Sequence, residues 1–131
     1  MNRFGIWNIQ QRTSHISSQP PQPGDSSKIS RPYIIISPNA VNHVATYPFV
    51  TVIPLQDRKK RKKYLTDVWI SPSKVNGLKK ESIAFCQLIY TIEKTFLDFR
   101  IGMLEKSYQD EVIEALRMFC NSSAEEKYLT G

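Results

Sequence analysis

The chain has 131 residues, with an apolar fraction of 40% and a charged fraction of 23%, ordinary values that exclude disorder along the whole length. No apolar run approaches the ~20 residues that a transmembrane helix needs, and the N-terminus lacks the apolar core of a signal peptide. We therefore expect a cytoplasmic protein with a single domain at residues 1–121, followed by a polar tail at 122–131.

The net charge of +6 is concentrated in one short segment, which we call the basic run. It consists of Arg58, Lys59, Lys60, Arg61, Lys62 and Lys63. Without these residues, the chain has equal numbers of basic and acidic side chains. A concentrated run of cations attracts phosphate groups, so a polyanion is a candidate partner. The alternatives are a solvated loop and a localisation signal.

In the first half of the chain, residues 4–9 are aromatic and β-branched and predict a first strand. Residues 12–30 are rich in Ser, Gln and Pro and predict a long mobile loop. Residues 33–37 and 49–55 are strongly β-forming runs. Because both runs are apolar without interruption, they are typical of strands buried on both faces or closed into a small barrel.

In the second half, the basic run is expected within a hairpin loop at 56–66, before a strand at 67–70. Asn76 and Gly77 mark a turn. Residues 82–85 and 88–92 form either one long strand or two short ones. Residues 96–101 fit a strand or a short helix, and Gly102 is interpreted as the break that ends this element.

The last element is predicted to be a helix with Ser107 as its N-cap. Val112, Leu116 and Phe119 form an apolar stripe at helical spacing. The sequence therefore predicts a mostly-β fold, a small barrel with a C-terminal α-helix packed on it.

Signatures of common enzyme classes are absent from the sequence, which has no Gly-rich phosphate loop, Gly-x-Ser-x-Gly or Cys-x-x-Cys. Cys86 and Cys120 have apolar neighbours and are predicted to be buried free thiols. His15 and His43 lie in predicted loops, so we expect neither a metal site nor a cofactor.

Several short motifs stand in a characteristic order along the chain. They are Gly5-Ile6-Trp7, Arg31-Pro32-Tyr33-Ile34-Ile35-Ile36, Asn42, Val52-Ile53-Pro54-Leu55, Gly77-Leu78, Ser82, and Thr91-Ile92-Glu93-Lys94 with Leu97. In this order and spacing, roughly residues 4–120 resemble the MazF/PemK family of toxin endoribonucleases.

The resemblance implies a homodimeric SH3-like barrel that cuts single-stranded RNA without a metal and is inhibited by a small acidic antitoxin. The RNA 2′-OH would be the nucleophile, and the protein would stabilise the charged phosphorane. Arg31 falls on the family's catalytic arginine, whose planar fork binds two phosphate oxygens. Asn42, His43 and the basic run are predicted to contact RNA, and His43 could also supply a missing acid, although an exposed loop histidine is the simpler interpretation.

The sequence departs from the family pattern at the second catalytic position. A family Thr or Ser is replaced by Gln56, which cannot act as a general acid, and Asp57 could serve as a base if the register shifts by one residue. Tyr90 stands where the family has Arg or Pro, and for this tyrosine packing in the barrel core is favoured over base stacking.

Two other functions stay open. A degenerate barrel could bind RNA or a protein without cleaving, which the Gln56 replacement favours. A gyrase-poisoning toxin of the CcdB type is less favoured, because such toxins lack the Arg-Pro strand.

Overall fold

A computed structural model describes residues 1–10 and 31–121 of the chain. The predicted loop at 12–30, His15 and the tail at 122–131 lie outside the described residues. The strands are β1 (Gly5–Ile9), β2 (Pro32–Ile35), β3 (Phe49–Asp57), β4 (Asp67–Ile70), β5 (Ser82–Phe85), β6 (Tyr90–Glu93) and β7 (Leu97–Met103). The helices are α1 (Asn39–Asn42) and α2 (Lys106–Cys120), and a 3₁₀ turn spans Lys94–Phe96.

The strands form one antiparallel sheet in the order β4-β5-β3-β2-β1-β7. The seventh strand, β6, pairs with β3 outside this order. The long strand β3 therefore has two partners besides β2: Leu55 to Asp57 pair with β5, and Phe49 to Val52 pair with β6. The mostly-β class with a terminal helix is confirmed. The ladder is not a closed barrel, since β4 and β7 end the strand order without a pairing between them among the described strands.

The main core lies between one face of this sheet and α2. Ile6, Ile34 and Ile53 stand side by side on β1, β2 and β3, and all three are fully buried. Val112 and Ala115 are the buried residues of α2 and belong to the same cluster. Complete burial of one such aliphatic side chain contributes about 1.5–3 kcal/mol, so this layer accounts for much of the stability.

The opposite face of β1, β2 and β3 is also covered. Ile35, Val50 and Val52 are buried there in a second cluster, with Trp7 and Tyr33 packed against them. The chain crosses this face on its way from β6, paired with β3, to β7, paired with β1. Burial on both faces explains why the segments 33–37 and 49–55 are apolar without alternation.

The predicted hairpin at 56–66 is wrong. Strands β3 and β4 do not pair with each other, because β5 lies between them and pairs with both. The basic run therefore connects two parallel strands that are separated by one strand. A local pattern cannot reveal this, since Ser82–Phe85 arrives from later in the chain.

The prediction that Gly102 ends the element at 96–101 is also wrong. Gly102 lies inside β7, and a Cβ atom at this position would be 2.3 Å from the carbonyl oxygen of Asn76. The glycine allows β7 to approach the turn at Asn76 and Gly77, where Gly77 has φ +69°. That turn was predicted correctly, and the side chain of Asn76 accepts hydrogen bonds from the amides of Ser73 and Leu78.

The terminal helix begins earlier than predicted. Glu105 is the N-cap of α2, so Ser107 lies inside the first turn. Gln109 fixes this end, since its side chain donates to the carbonyl of Leu104 at 2.6 Å. The prediction of two buried thiols is half right, because Cys86 is buried and Cys120 is exposed. Burial, and secondarily the charge of Asp67, raises the pKa of Cys86 to about 12.

Candidate nucleic-acid interface

Arg31 continues β2 by one residue and is held there by its backbone. Its amide donates to Oδ1 of Asn8 at 2.7 Å, and its carbonyl accepts from the amide of Ile9 at 3.3 Å. Asn8 in turn donates to Asp98 at 3.1 Å. The side chain of Arg31 is exposed, and no carboxylate of the described residues forms an ion pair with it. A fixed backbone thus presents an uncompensated guanidinium, suited to an anion.

Gln56 lies on β3, the strand that pairs with β2. The pairing runs from Ile35 with Val52 to Tyr33 with Pro54, and extending its register by two residues beyond this last pair would set Arg31 opposite Gln56. Cross-strand neighbours on one face have Cβ atoms about 4.5–5.5 Å apart. Gln56 is exposed, and its backbone is fixed on the other side by pairing with Ile83 of β5. This extended register is the geometric reason to expect the two predicted catalytic residues on one face of the sheet.

Asp57 points away from this pair, because successive side chains of a strand alternate between faces. Its carboxylate lies 3.6 Å from Nζ of Lys80 and accepts a hydrogen bond from the backbone amide of Lys59 at 3.2 Å. These contacts fix the first turn of the basic run, where Lys59 has φ +45°. Asp57 therefore contacts the basic run and Lys80 in this structure. Its role as a base stays a prediction.

The basic run lies on the sheet instead of projecting from it. The guanidinium of Arg58 sits 4.5 Å from the ring centroid of Trp69, and Nζ of Lys63 lies 5.7 Å from the same ring. Arg61 lies 5.8 Å from the ring centroid of Phe85. Trp69 and Phe85 share a face with Ile83, which is fully buried. Cation–π contacts of this kind fasten the run over the β4–β5 part of the sheet.

The cations of the run therefore fall into two groups. Arg58, Arg61 and Lys63 lie over aromatic rings, and Arg58 also pairs with Glu81 at 3.8 Å. Lys59, Lys60 and Lys62 are exposed, and within residues 1–10 and 31–121 their side chains have neither a ring contact nor an ion pair. We call these three residues the outer lysines. They are the cations available to an external polyanion.

Asn42 and His43 lie at the other end of β2. Arg31 precedes this strand while α1 follows it, a separation of about 20 Å along extended backbone. Asn42 is buried, donates to the carbonyl of Ser37 at 2.7 Å and accepts from its hydroxyl at 2.6 Å. Nε2 of His43 lies 2.8 Å from the carbonyl oxygen of Met1 and holds the N-terminus. The structure does not bring these two residues to Arg31, and their contact with RNA stays a prediction.

Tyr90 is the residue that sequence reasoning assigned to the core and that the structure exposes. Its side chain is 47% exposed, and its ring meets that of Tyr33 edge-on, with centroids 6.5 Å apart. Tyr33 is two residues from Arg31 and lies on the same face. The sequence places Tyr33 two residues after Arg31. Only the pairing of Val52 with Tyr90 shows that Tyr90 lies beside this tyrosine.

The described residues match neither of two further kinds of structure, a metal site and a membrane-spanning helix. Across residues 1–10 and 31–121, no three His, Cys, Asp or Glu side chains come close enough together to hold a metal ion. None of the helices in this part of the chain is long and apolar enough to cross a membrane.

The fold and site together define a small mostly-β protein with a cationic, aromatic-lined sheet face. Residues 14–120 match the model of a family described as the PemK-like, MazF-like toxin of type II toxin-antitoxin system. The chain belongs to this toxin family, which confirms the resemblance seen in the sequence.

Several solved structures have the same fold. An endoribonuclease from a Mycobacterial species, in complex with its cognate antitoxin, has a TM-score of 0.67 at 18% identity, covering 91% of this chain and 93% of its own. The Mycobacterium tuberculosis toxin MazF-mt6 has a TM-score of 0.62 at 24% identity, covering 86% and 92%. A MazE-MazF complex from Deinococcus radiodurans has 0.61 at 14% identity, covering 89% and 92%. No curated protein matches the chain.

Proposed function

We propose that the protein is a metal-independent endoribonuclease that cleaves single-stranded RNA, as the cytoplasmic toxin of a type II toxin–antitoxin pair. The observation that carries the proposal is Arg31, an exposed guanidinium without an acidic partner among the described residues, held by its backbone and facing Gln56 across the strand register. The structures of similar fold described as endoribonucleases support the same reaction.

The proposed reaction is an in-line transfer within the RNA. The 2′-OH loses its proton and its oxygen attacks the adjacent phosphorus, while the bond to the 5′ oxygen of the next nucleotide breaks and that oxygen takes up a proton. The products are a 2′,3′-cyclic phosphate and a 5′-OH. Arg31 stabilises the charge on the non-bridging oxygens through two parallel hydrogen bonds, and the Gln56 amide adds a neutral one. Since Gln56 holds no titratable proton, water carries the protons to and from the reacting oxygens.

The proposed partners follow from the same face. The outer lysines gather the phosphates of a single strand and deliver it towards Arg31. A small acidic antitoxin would compete for these cations. We propose that the toxin acts as a homodimer, as the resemblance implies, and the structures described as toxin–antitoxin complexes support the antitoxin as a partner.

The test is cleavage of long single-stranded RNA in EDTA, with end-group analysis of the products. We expect discrete cuts with 2′,3′-cyclic phosphate ends, and Arg31→Ala should reduce the rate by about 10²–10³-fold, as removal of a preorganised charge-stabilising donor does. Arg100→Ala is the matched control, because Arg100 is an exposed arginine on the edge strand β7. The proposal fails if no RNA is cut, or if Arg31→Ala cuts at the wild-type rate.

A second function is favoured by one specific observation. Gln56 cannot transfer a proton, and the neighbouring Asp57 is already engaged with Lys80. A protein that binds single-stranded RNA on this face without cutting it is therefore the alternative. In the same assay, tight binding without cleavage across several RNA sequences would identify the binding module.

A further inference from the structure

Two tyrosines form an aromatic pair beside the proposed phosphate site. Tyr33 on β2 stands opposite Pro54, and Tyr90 on β6 stands opposite Val52. The two tyrosines therefore flank β3 and lie on the same face of the sheet. Their centroids are 6.5 Å apart with an interplanar angle of 74°, an edge-to-face contact. Tyr33 is partly buried in the second cluster, whereas Tyr90 is 47% exposed. A braced ring thus leaves one surface open to solvent.

This open ring lies within reach of a short RNA strand whose phosphate is bound at Arg31. Arg31 and Tyr33 are two residues, about 6.6 Å, apart in extended backbone. The Tyr90 ring lies a further 6.5 Å from the Tyr33 ring, so a few nucleotides of single strand span the distance from Arg31 to Tyr90. Exposed aromatic rings next to bound phosphates are the usual positions at which unpaired bases stack. The polar neighbour Thr91 faces the other way and joins Thr51 through a hydroxyl contact of 3.1 Å, whereas Ile92 packs on the second cluster, so Tyr90 is the exposed side chain of β6 on the face of Tyr33.

We propose that Tyr90, braced by Tyr33, stacks on a nucleobase of the same strand, a few nucleotides from the phosphate that Arg31 binds. This inference rests on the proposed function and adds to it a substrate-selecting contact. Because a base inside a duplex cannot lie flat on a protein ring, the contact restricts this site to single strands. It also tolerates any base, since every base presents a π-face.

The test uses a short RNA that is 2′-O-methylated at every position, so that it cannot be cut, with 2-aminopurine at its centre. Affinity is measured for the single strand and for its duplex. Tyr90→Leu should bind the single strand about 5- to 100-fold more weakly and leave duplex affinity unchanged. Tyr90→Phe should stay within about twofold of wild type, because the ring is kept. Quenching of 2-aminopurine should persist in Tyr90→Phe and disappear in Tyr90→Leu.

Phe99→Leu is the matched control, because Phe99 is an aromatic of similar exposure, 52%, on β7, which β3, β2 and β1 separate from β6 in the sheet. Single-strand affinity equal to wild type in Tyr90→Leu, or equal losses for single strand and duplex, would overturn the stacking contact. The two proposals separate cleanly. Arg31-dependent cutting with unchanged Tyr90→Leu affinity leaves the nuclease and removes the stacking contact, whereas selective loss of single-strand affinity without cutting by wild type does the reverse.

Discussion

At the scale of single residues, the proposed chemistry depends on how Arg31 is held. Its amide and carbonyl are both engaged by β1, while its side chain stays in solvent. The fixed backbone limits the region that the guanidinium can reach, while the free torsions of the exposed side chain must still be ordered when it binds a phosphate. Asp57, by contrast, is held through its carboxylate, which contacts Lys80 and the backbone amide of Lys59. This side chain therefore fixes the loop, whereas the side chain of Arg31 is free to bind an anion.

Cys86 gives a prediction about stability and pH. The pKa of this thiol is raised from 9.0 to about 12 by burial and by Asp67. Between these values the unfolded chain loses the thiol proton while the folded chain keeps it, so stability present below pH 9 falls as pH rises. We expect the free energy of unfolding to fall by about 1.4 kcal/mol per pH unit more in wild type than in Cys86→Ala.

Urea unfolding between pH 8 and pH 11 measures this difference in slope. Cys120→Ala is the control, because Cys120 is the exposed cysteine of α2. Equal slopes in wild type and Cys86→Ala would show that the buried thiol does not govern the alkaline loss of stability.

At the scale of elements, the basic run combines two tasks that can be separated. Replacing the outer lysines, Lys59, Lys60 and Lys62, by Ser removes three free cations. Since each phosphate contact on single strands contributes about 0.7 to the salt slope, the slope should fall by about 2, with stability unchanged within about 0.5 kcal/mol. Replacing Arg58, Arg61 and Lys63 by Ser removes the same charge and should instead lower stability by about 0.5–1 kcal/mol per lost ring contact.

Binding isotherms over a salt series and thermal melts distinguish the two triple variants, which match in net charge. If both variants lose affinity and stability to the same extent, the run is a flexible arm and its ring contacts do not order it.

The sequence predicted the elements better than their pairing. The apolar runs at 33–37 and 49–55 identified β2 and β3 because burial on both faces leaves a local signature. The insertion of Ser82–Phe85 between β3 and β4 leaves none, so the basic run was mistaken for a hairpin loop. Gly102 was read as a break because its close neighbour, Asn76, is distant in sequence.

The candidate site was predictable to the same extent. Arg31 and the basic run stood out through a motif and a concentration of charge. The exposure of Tyr90 depends on which residues of β3 it faces, and no local pattern contains that information.

At the scale of the whole molecule, the main core and the proposed site lie on different faces of the sheet. One face packs on α2, and the other combines the smaller buried cluster of Ile35, Val50 and Val52 with Arg31, Gln56, the tyrosine pair and the basic run. Val112→Ala, on the fully buried side of α2, should therefore lower the free energy of unfolding by about 1–3 kcal/mol and leave RNA affinity unchanged at temperatures where the variant is folded. Chemical denaturation and RNA titration on one sample check this, and a parallel loss of affinity would show that the two faces are coupled.

The contact of the basic run with Trp69 provides an intrinsic fluorescence probe of the position of the run. The chain has two tryptophans, so Trp7→Phe would leave Trp69 as the single indole. Because indole emission depends on nearby charge and water, displacement of Arg58 and Lys63 from this ring should change it. A spectrometer could thus follow, without any attached dye, whether the run stays on the sheet or lifts away when an RNA strand or an antitoxin arrives.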